Sequence, residues 1–132
     1  IKAILAQIQG ERGELSLGFL DELPVEQATE YLRSFTGVGP KTAACVLMFD
    51  LGKPVFPVDT HVLRITGRLG WIEEGETAER AHGLLANLIA PERRYRLHVN
   101  LVAHGRTLCH ARGPQCGRCP VETYCPWGMG GR

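Results

Sequence analysis

Apolar residues recur at helical intervals along nearly the whole chain. Ile1, Ile4, Leu5 and Ile8 keep the i, i+3, i+4, i+7 spacing of one helical face. The stretch from Gly10 to Gly13 breaks that pattern, and Leu17 to Leu23 can make a short helix. Pro24 stands where a helix can start, and Ala28, Leu32 and Phe35 carry one apolar face onward. Thr36-Gly37-Val38-Gly39 reads as a tight turn. Pro40 then opens a helix with Ala43, Ala44, Leu47 and Met48 as its core face. Pro54 and Pro57 lie too close together for regular helix, so Gly52 to Pro57 is a loop. Asp59 or Thr60 caps the next helix, Thr60 to Leu69, which Gly70 ends. Thr77 caps a helix with Ala81, Leu84, Leu85 and Leu88 inward. Pro91 starts another, carrying Tyr95, Val99, Leu101 and Val102. No segment alternates like a strand. The pattern predicts an all-α fold of six or seven short helices, with a helical body over 1–108, a cysteine-rich loop over 109–125 and a tail over 126–132.

Composition changes this picture little. Apolar residues make up 44% of the 132 and charged residues 22%, a globular balance that excludes a disordered chain. The longest apolar run, Ala43 to Phe49, has seven residues, whereas a membrane helix needs roughly 18. No membrane span, no signal peptide and no sign of an oligomer is read, so the expectation is an intracellular monomer (cytoplasm or nucleoid in a prokaryote). The net charge of +1 hides a division. Residues 1–90 hold 8 Lys/Arg against 12 Asp/Glu, while 91–132 hold 7 Arg against 2 Glu. A basic, arginine-rich third suits phosphate, because the guanidinium fork donates two parallel bonds. It suits an ordinary solvated surface equally well.

Four of the five cysteines, Cys109, Cys116, Cys119 and Cys125, follow a C-x6-C-x2-C-x5-C spacing. Four thiolates this close in sequence can surround one metal centre, and the intervening glycines and prolines supply the turns. Zinc and an iron–sulfur cluster both fit the spacing. Disulfides are the lesser alternative in text that reads as intracellular. Cys45 sits in an apolar run and is expected to be a buried structural thiol.

The segment from Leu32 to Ala43 reads as helix, Gly-x-Gly hairpin, helix. Glycines at 37 and 39 let the backbone take positive φ and approach a ligand closely. The following helix aims unpaired N–H groups outward, a site for an anion such as a DNA phosphate. Gly37, Val38, Gly39, Lys41 and Thr42 are therefore the candidate DNA contacts. Lys41 breaks a local rule, since helix starts favour anions. The same field favours the uncharged amine, the form that makes Schiff bases. Asp59 is an N-cap whose carboxylate can also move protons and stabilise positive charge. His61 reads as structural. Lys41 and Asp59 are the candidate catalytic pair.

Taken together these residues resemble the endonuclease III family of helix-hairpin-helix base-excision DNA glycosylases. The match runs through Thr36-Gly37-Val38-Gly39-Pro40-Lys41-Thr42-Ala43, then Val58-Asp59-Thr60-His61-Val62, Arg64, Arg68-Leu69-Gly70, His104-Gly105 and the four cysteines. The resemblance implies a [4Fe–4S] cluster rather than zinc at Cys109, Cys116, Cys119 and Cys125. It also implies a hairpin that grips double-stranded DNA, with a monovalent cation at its carbonyls. Lys41 would attack C1′ of a damaged nucleotide, and Asp59 would assist base departure and proton transfer. The implied activity is glycosylase plus β-elimination lyase on damaged bases or abasic sites, with oxidised pyrimidines as the expected substrates. Further N-terminal helices complete the family's domain, so the resemblance implies a chain lacking that part. The alternatives are a DNA-binding module without catalysis, or a mismatch or 5-methylcytosine glycosylase.

Overall fold

The computed structural model describes residues 1–130, which contain helices and turns and no strand. No helix among them is long and apolar enough to cross a membrane. The chain forms two compact units, Ile1–Lys53 and Pro54–Arg132.

In the first unit, α1 (Lys2–Arg12) stops at Gly13, whose left-handed φ of 76° lets its N–H reach the Gln9 carbonyl. A 3-10 turn (Gly18–Asp21) stands where a short helix is predicted. Helix α2 (Val25–Arg33) follows Pro24, and α3 (Pro40–Cys45) follows the hairpin. Beyond Cys45 the helix widens into a π turn over Val46–Asp50, closed by Leu51 N–H on the Val46 carbonyl. Leu20, Ala28, Leu32, Phe35, Ala43 and Leu47 are buried. Tyr31 stands edge-on to Phe19 and Phe35, at 5.0 and 5.2 Å between ring centres, and its hydroxyl donates to Glu11 Oε2 at 2.9 Å. Lys53 Nζ closes the unit by donating to the carbonyls of Asp21 and Leu23.

The second unit is built on α4 (Thr60–Arg68), α5 (Ala78–Leu88) and α6 (Pro91–Thr107), with a short α7 (Pro126–Met129) after the cysteine loop. Its core gathers Phe56, Val58, Val62, Ile65, Ala81, Leu85 and Leu101. Helices α4 and α6 approach closely at Gly105. A Cβ there would lie 2.6 Å from His61 Nδ1 and 2.8 Å from His61 Cβ.

Several apolar residues of these helices are not buried, Leu84 and Leu88 among them although predicted inward. Ile8 alone of the first apolar set is buried; Ile1 and Leu5 are exposed. Leu84 and Leu88 on α5, and Tyr95 and Val99 on α6, are exposed too. Each stretch is helical as predicted, but periodicity marks an apolar face without saying what covers it. Cys45 is half-buried, not buried.

Candidate functional site

The hairpin forms as its residues demand. Ser34 and Phe35 wind down α2 through N–H bonds to Glu30, Tyr31 and Leu32, and Val38 N–H returns to the Phe35 carbonyl at 3.1 Å. Gly37 takes a left-handed φ of 86°, where a side chain is strained. Gly39 does not take positive φ as predicted. It is the extended N-cap of α3, and its carbonyl accepts from Ala43 N–H at 3.0 Å. Pro40 fills the first helical position, where no N–H is needed. A Cβ at Gly39 would meet nothing within 4 Å. Neither backbone angle nor crowding calls for glycine there, and the missing side chain leaves open space over the helix start. Lys41 occupies the second helical position. Lys41 and Thr42 are exposed, and Val38 is half-buried between the glycines.

Asp59 is the N-cap of α4, as predicted. Its Oδ1 accepts from Val62 N–H at 2.8 Å, and its carbonyl takes Leu63 N–H. The loop leading to it, Pro54 to Val58, is held from α6. His98, itself buried, bonds the Pro57 carbonyl through Nδ1 at 2.9 Å, and Arg94 donates to the carbonyls of Pro54, Ala86 and Ile89. The position of Asp59 thus rests on two side chains about forty residues further along.

The four cysteines line one cavity together with Arg68, His104, Leu108, Glu122 and Trp127. Two arginines of α4, one helical turn apart, hold the first of them. Arg64 donates through Nε and Nη2 to the Cys109 carbonyl at 3.1 and 2.9 Å, and through Nη2 to the Gly105 carbonyl at 3.2 Å. Its Nη2 also lies 3.0 Å from His61 Nδ1. Arg68 Nη1 donates to Cys109 Sγ at 3.1 Å and to the His110 carbonyl at 2.8 Å. Cys119 Sγ lies 3.4 Å from His104 Nε2, and burial pushes that imidazole's pKa down. Among the described residues no three Cys, His, Asp or Glu side chains converge on an ion-sized point. The donor set nevertheless suits a thiolate-bound metal group: four cysteines line one space, and a guanidinium stands beside one sulfur.

Sequence reasoning missed these internal roles for Arg64, Arg68, Arg94 and His98. Arg94, in the arginine-rich third read as suited to phosphate, is consumed in holding backbone, as are Arg64 and Arg68 outside it. Their targets in the cysteine loop and in the loop before Asp59 lie about forty residues away, so no local spacing could reveal them.

No family model matches the chain. It is 43% identical over 106 residues to a candidate DNA glycosylase of Arabidopsis thaliana, covering 80% of this chain and 36% of that protein. It is 41% identical over 91 residues to endonuclease III of Rickettsia conorii, covering 69% of this chain and 43% of that one. The chain therefore spans less than half the length of these curated relatives. A solved structure of a trapped covalent intermediate between endonuclease III and DNA superposes with a TM-score of 0.79 at 29% identity, over 95% of this chain and 55% of that one. The shared fold, the hairpin with its lysine, the capping aspartate and the four cysteines place this chain in the endonuclease III family of helix-hairpin-helix DNA glycosylases.

Proposed function

We propose that the protein acts in base-excision DNA repair, as a DNA glycosylase with abasic-site lyase activity on double-stranded DNA. The observation that carries this reading is Lys41, an exposed amine at the second position of a helix that begins at a bare glycine. Gly37, Val38, Gly39 and Thr42 would seat the DNA backbone, with N–H groups at the helix start facing phosphate. Hairpin carbonyls would take a monovalent cation. The target base leaves the stack before chemistry.

Lys41 Nζ, uncharged, attacks C1′ of the flipped nucleotide. The C1′–N bond breaks and the base departs with its bonding pair and a proton. Ring opening gives a Schiff base between Nζ and C1′. Loss of a C2′ proton then expels the 3′ phosphate by β-elimination, and water releases the lysine. Asp59 stabilises the positive charge that develops at C1′ and relays protons, while still capping α4. Oxidised pyrimidines are the proposed substrates. Cys109, Cys116, Cys119 and Cys125, which line one cavity, would hold a [4Fe–4S] cluster, favoured over zinc by the family resemblance. When bound, the cluster cross-links the loop over 109–125 and leaves the covalent chemistry to the side chains. The protein would work as an intracellular monomer.

Borohydride reduction in the presence of abasic-site duplex tests this. Wild type should give a covalent protein–DNA adduct, and Lys41→Ala should give none while still binding DNA. Binding without an adduct in wild type would replace the enzyme with a docking module.

A further inference from the structure

Arg68 and Trp127 border two different spaces. On one side both line the cavity that holds the four cysteines. On the other, both line an open pocket with Leu63, Ile72 and the loop over 73–76. The guanidinium carbon of Arg68 lies 4.1 Å from the centre of the Trp127 ring, so the two planes form one stacked partition. The fork is fixed at its other end. Nη1 donates to Cys109 Sγ and the His110 carbonyl, and Nη2 donates to the Ala111 carbonyl at 3.1 Å. The Arg68 carbonyl also lies 3.3 Å from Cys125 Sγ and accepts from it while that cysteine is a thiol. One residue of α4 thereby touches the first and last cysteines of the set, which are sixteen positions apart in sequence.

We infer that Arg68, stacked on Trp127, is a positioning residue for the metal group of this loop: it fixes Cys109 as a ligand, tunes the electron affinity of the group through that sulfur, and with Trp127 walls it off from water. The inference rests on the cluster reading above. The physical ground is twofold. A hydrogen bond and a positive charge at a ligating sulfur stabilise the electron-rich state of an iron–sulfur group. The hydrogen bonds of Arg68 go to two carbonyls and one sulfur and to no carboxylate, so its charge is directed at the thiolate; Glu73, Glu74 and Glu76 line the open pocket on its other side. Lysine could supply charge but neither the planar stack nor three simultaneous bonds.

The test uses the cluster-loaded protein and two variants, Arg68→Met and Trp127→Leu, with circular dichroism checking the fold. Arg68→Met should move the cluster's reduction potential to a more negative value. Trp127→Leu should change the potential less but speed the loss of cluster absorbance in air several-fold. Arg68→Lys should recover part of the potential and little of the protection. Wild-type potential and wild-type bleaching rate in both Arg68→Met and Trp127→Leu would overturn the inference. Should the protein take up no cluster, the cofactor reading fails on its own. The wall is then read in metal-free protein, from the rate at which iodoacetamide alkylates Cys109 relative to Cys45. Trp127→Leu should raise that ratio, and an unchanged ratio would overturn the wall.

Discussion

The two units close their loops by different means. In Ile1–Lys53 the turns are drawn in mostly by apolar contact. Phe19, Tyr31 and Phe35 interlock, Leu20 and Leu32 are buried, and one lysine, Lys53, reaches backbone carbonyls. In Pro54–Arg132 the cysteine loop has almost no buried apolar residue of its own, and the loop before Asp59 adds side-chain bonds to its buried Phe56 and Val58. Arg64 and Arg68 hold the cysteine loop, and Arg94 and His98 hold the approach to Asp59, nearly all through bonds to carbonyl oxygens. Apolar packing is indifferent to direction, so it gathers a loop without fixing its atoms. A guanidinium bonded to named carbonyls fixes both. The unit that must hold four thiols around one space, and one carboxylate at a helix start, uses the directional device.

This contrast can be broken most forcefully at the cores. Leu47→Ala in the first unit and Leu85→Ala in the second each empty a fully buried site, at a cost of about 2–5 kcal/mol. The first unit has only residues 1–53 to draw on, so Leu47→Ala should lower its denaturation midpoint the more, read by urea titration. Arg64→Met should cost less, about 1.5–3 kcal/mol for bonds from a charged donor, and the loss should be local. Hydrogen exchange should rise over 109–125 while α5 stays protected. Exchange rising evenly through the unit would remove the distinction between loop and core. Asp59 separates further. Asn caps a helix as well as Asp, so Asp59→Asn should leave stability within a few tenths of a kcal/mol, whereas Asp59→Ala should cost about 1 kcal/mol. Both should suppress base release, measured as abasic-site formation in damaged duplex.

The smallest effect lies in the first unit. Burial first, and then the hydrogen bond and negative charge of Glu11, raise the Tyr31 hydroxyl above its ordinary 10.0, with Arg12 opposing. The folded state therefore holds this proton more tightly than the unfolded chain. The stabilisation is complete below about pH 10 and is lost as pH climbs through the raised value. Melting temperature should sag above that point, and Glu11→Gln should blunt the sag.

Much of the fold is legible because its signals are local. Pro40, Asp59, Thr77 and Pro91 each announce a helix start by what they do to the nearest N–H groups, and all four stand at or beside one. The candidate chemistry of Lys41, Asp59 and the cysteines is legible for the same reason, as order and spacing in the chain. Two kinds of information are not local. The first is what covers an apolar stripe: Leu84 and Leu88 have the right period yet lie open. The second is where a long side chain ends. Nothing near Arg64 in the sequence points to the Cys109 carbonyl, and nothing near His98 points to Pro57. The π turn after Cys45 is invisible for a related reason, since one extra residue per turn leaves the apolar order of Val46, Leu47 and Met48 intact.

The contact between Gly105 and His61 bears on how this sequence can change over time. With the imidazole 2.6 Å from where a Cβ would stand, position 105 is closed to every other amino acid while His61 remains. Shrinking His61 first would open the space but leave Arg64 without one of its neighbours. The two positions are therefore locked as a pair. Either single step is a loss, and only a joint replacement crosses between viable sequences. A double-mutant cycle on Gly105→Ala and His61→Ala should be strongly non-additive, the combined variant costing less than the sum of its parts.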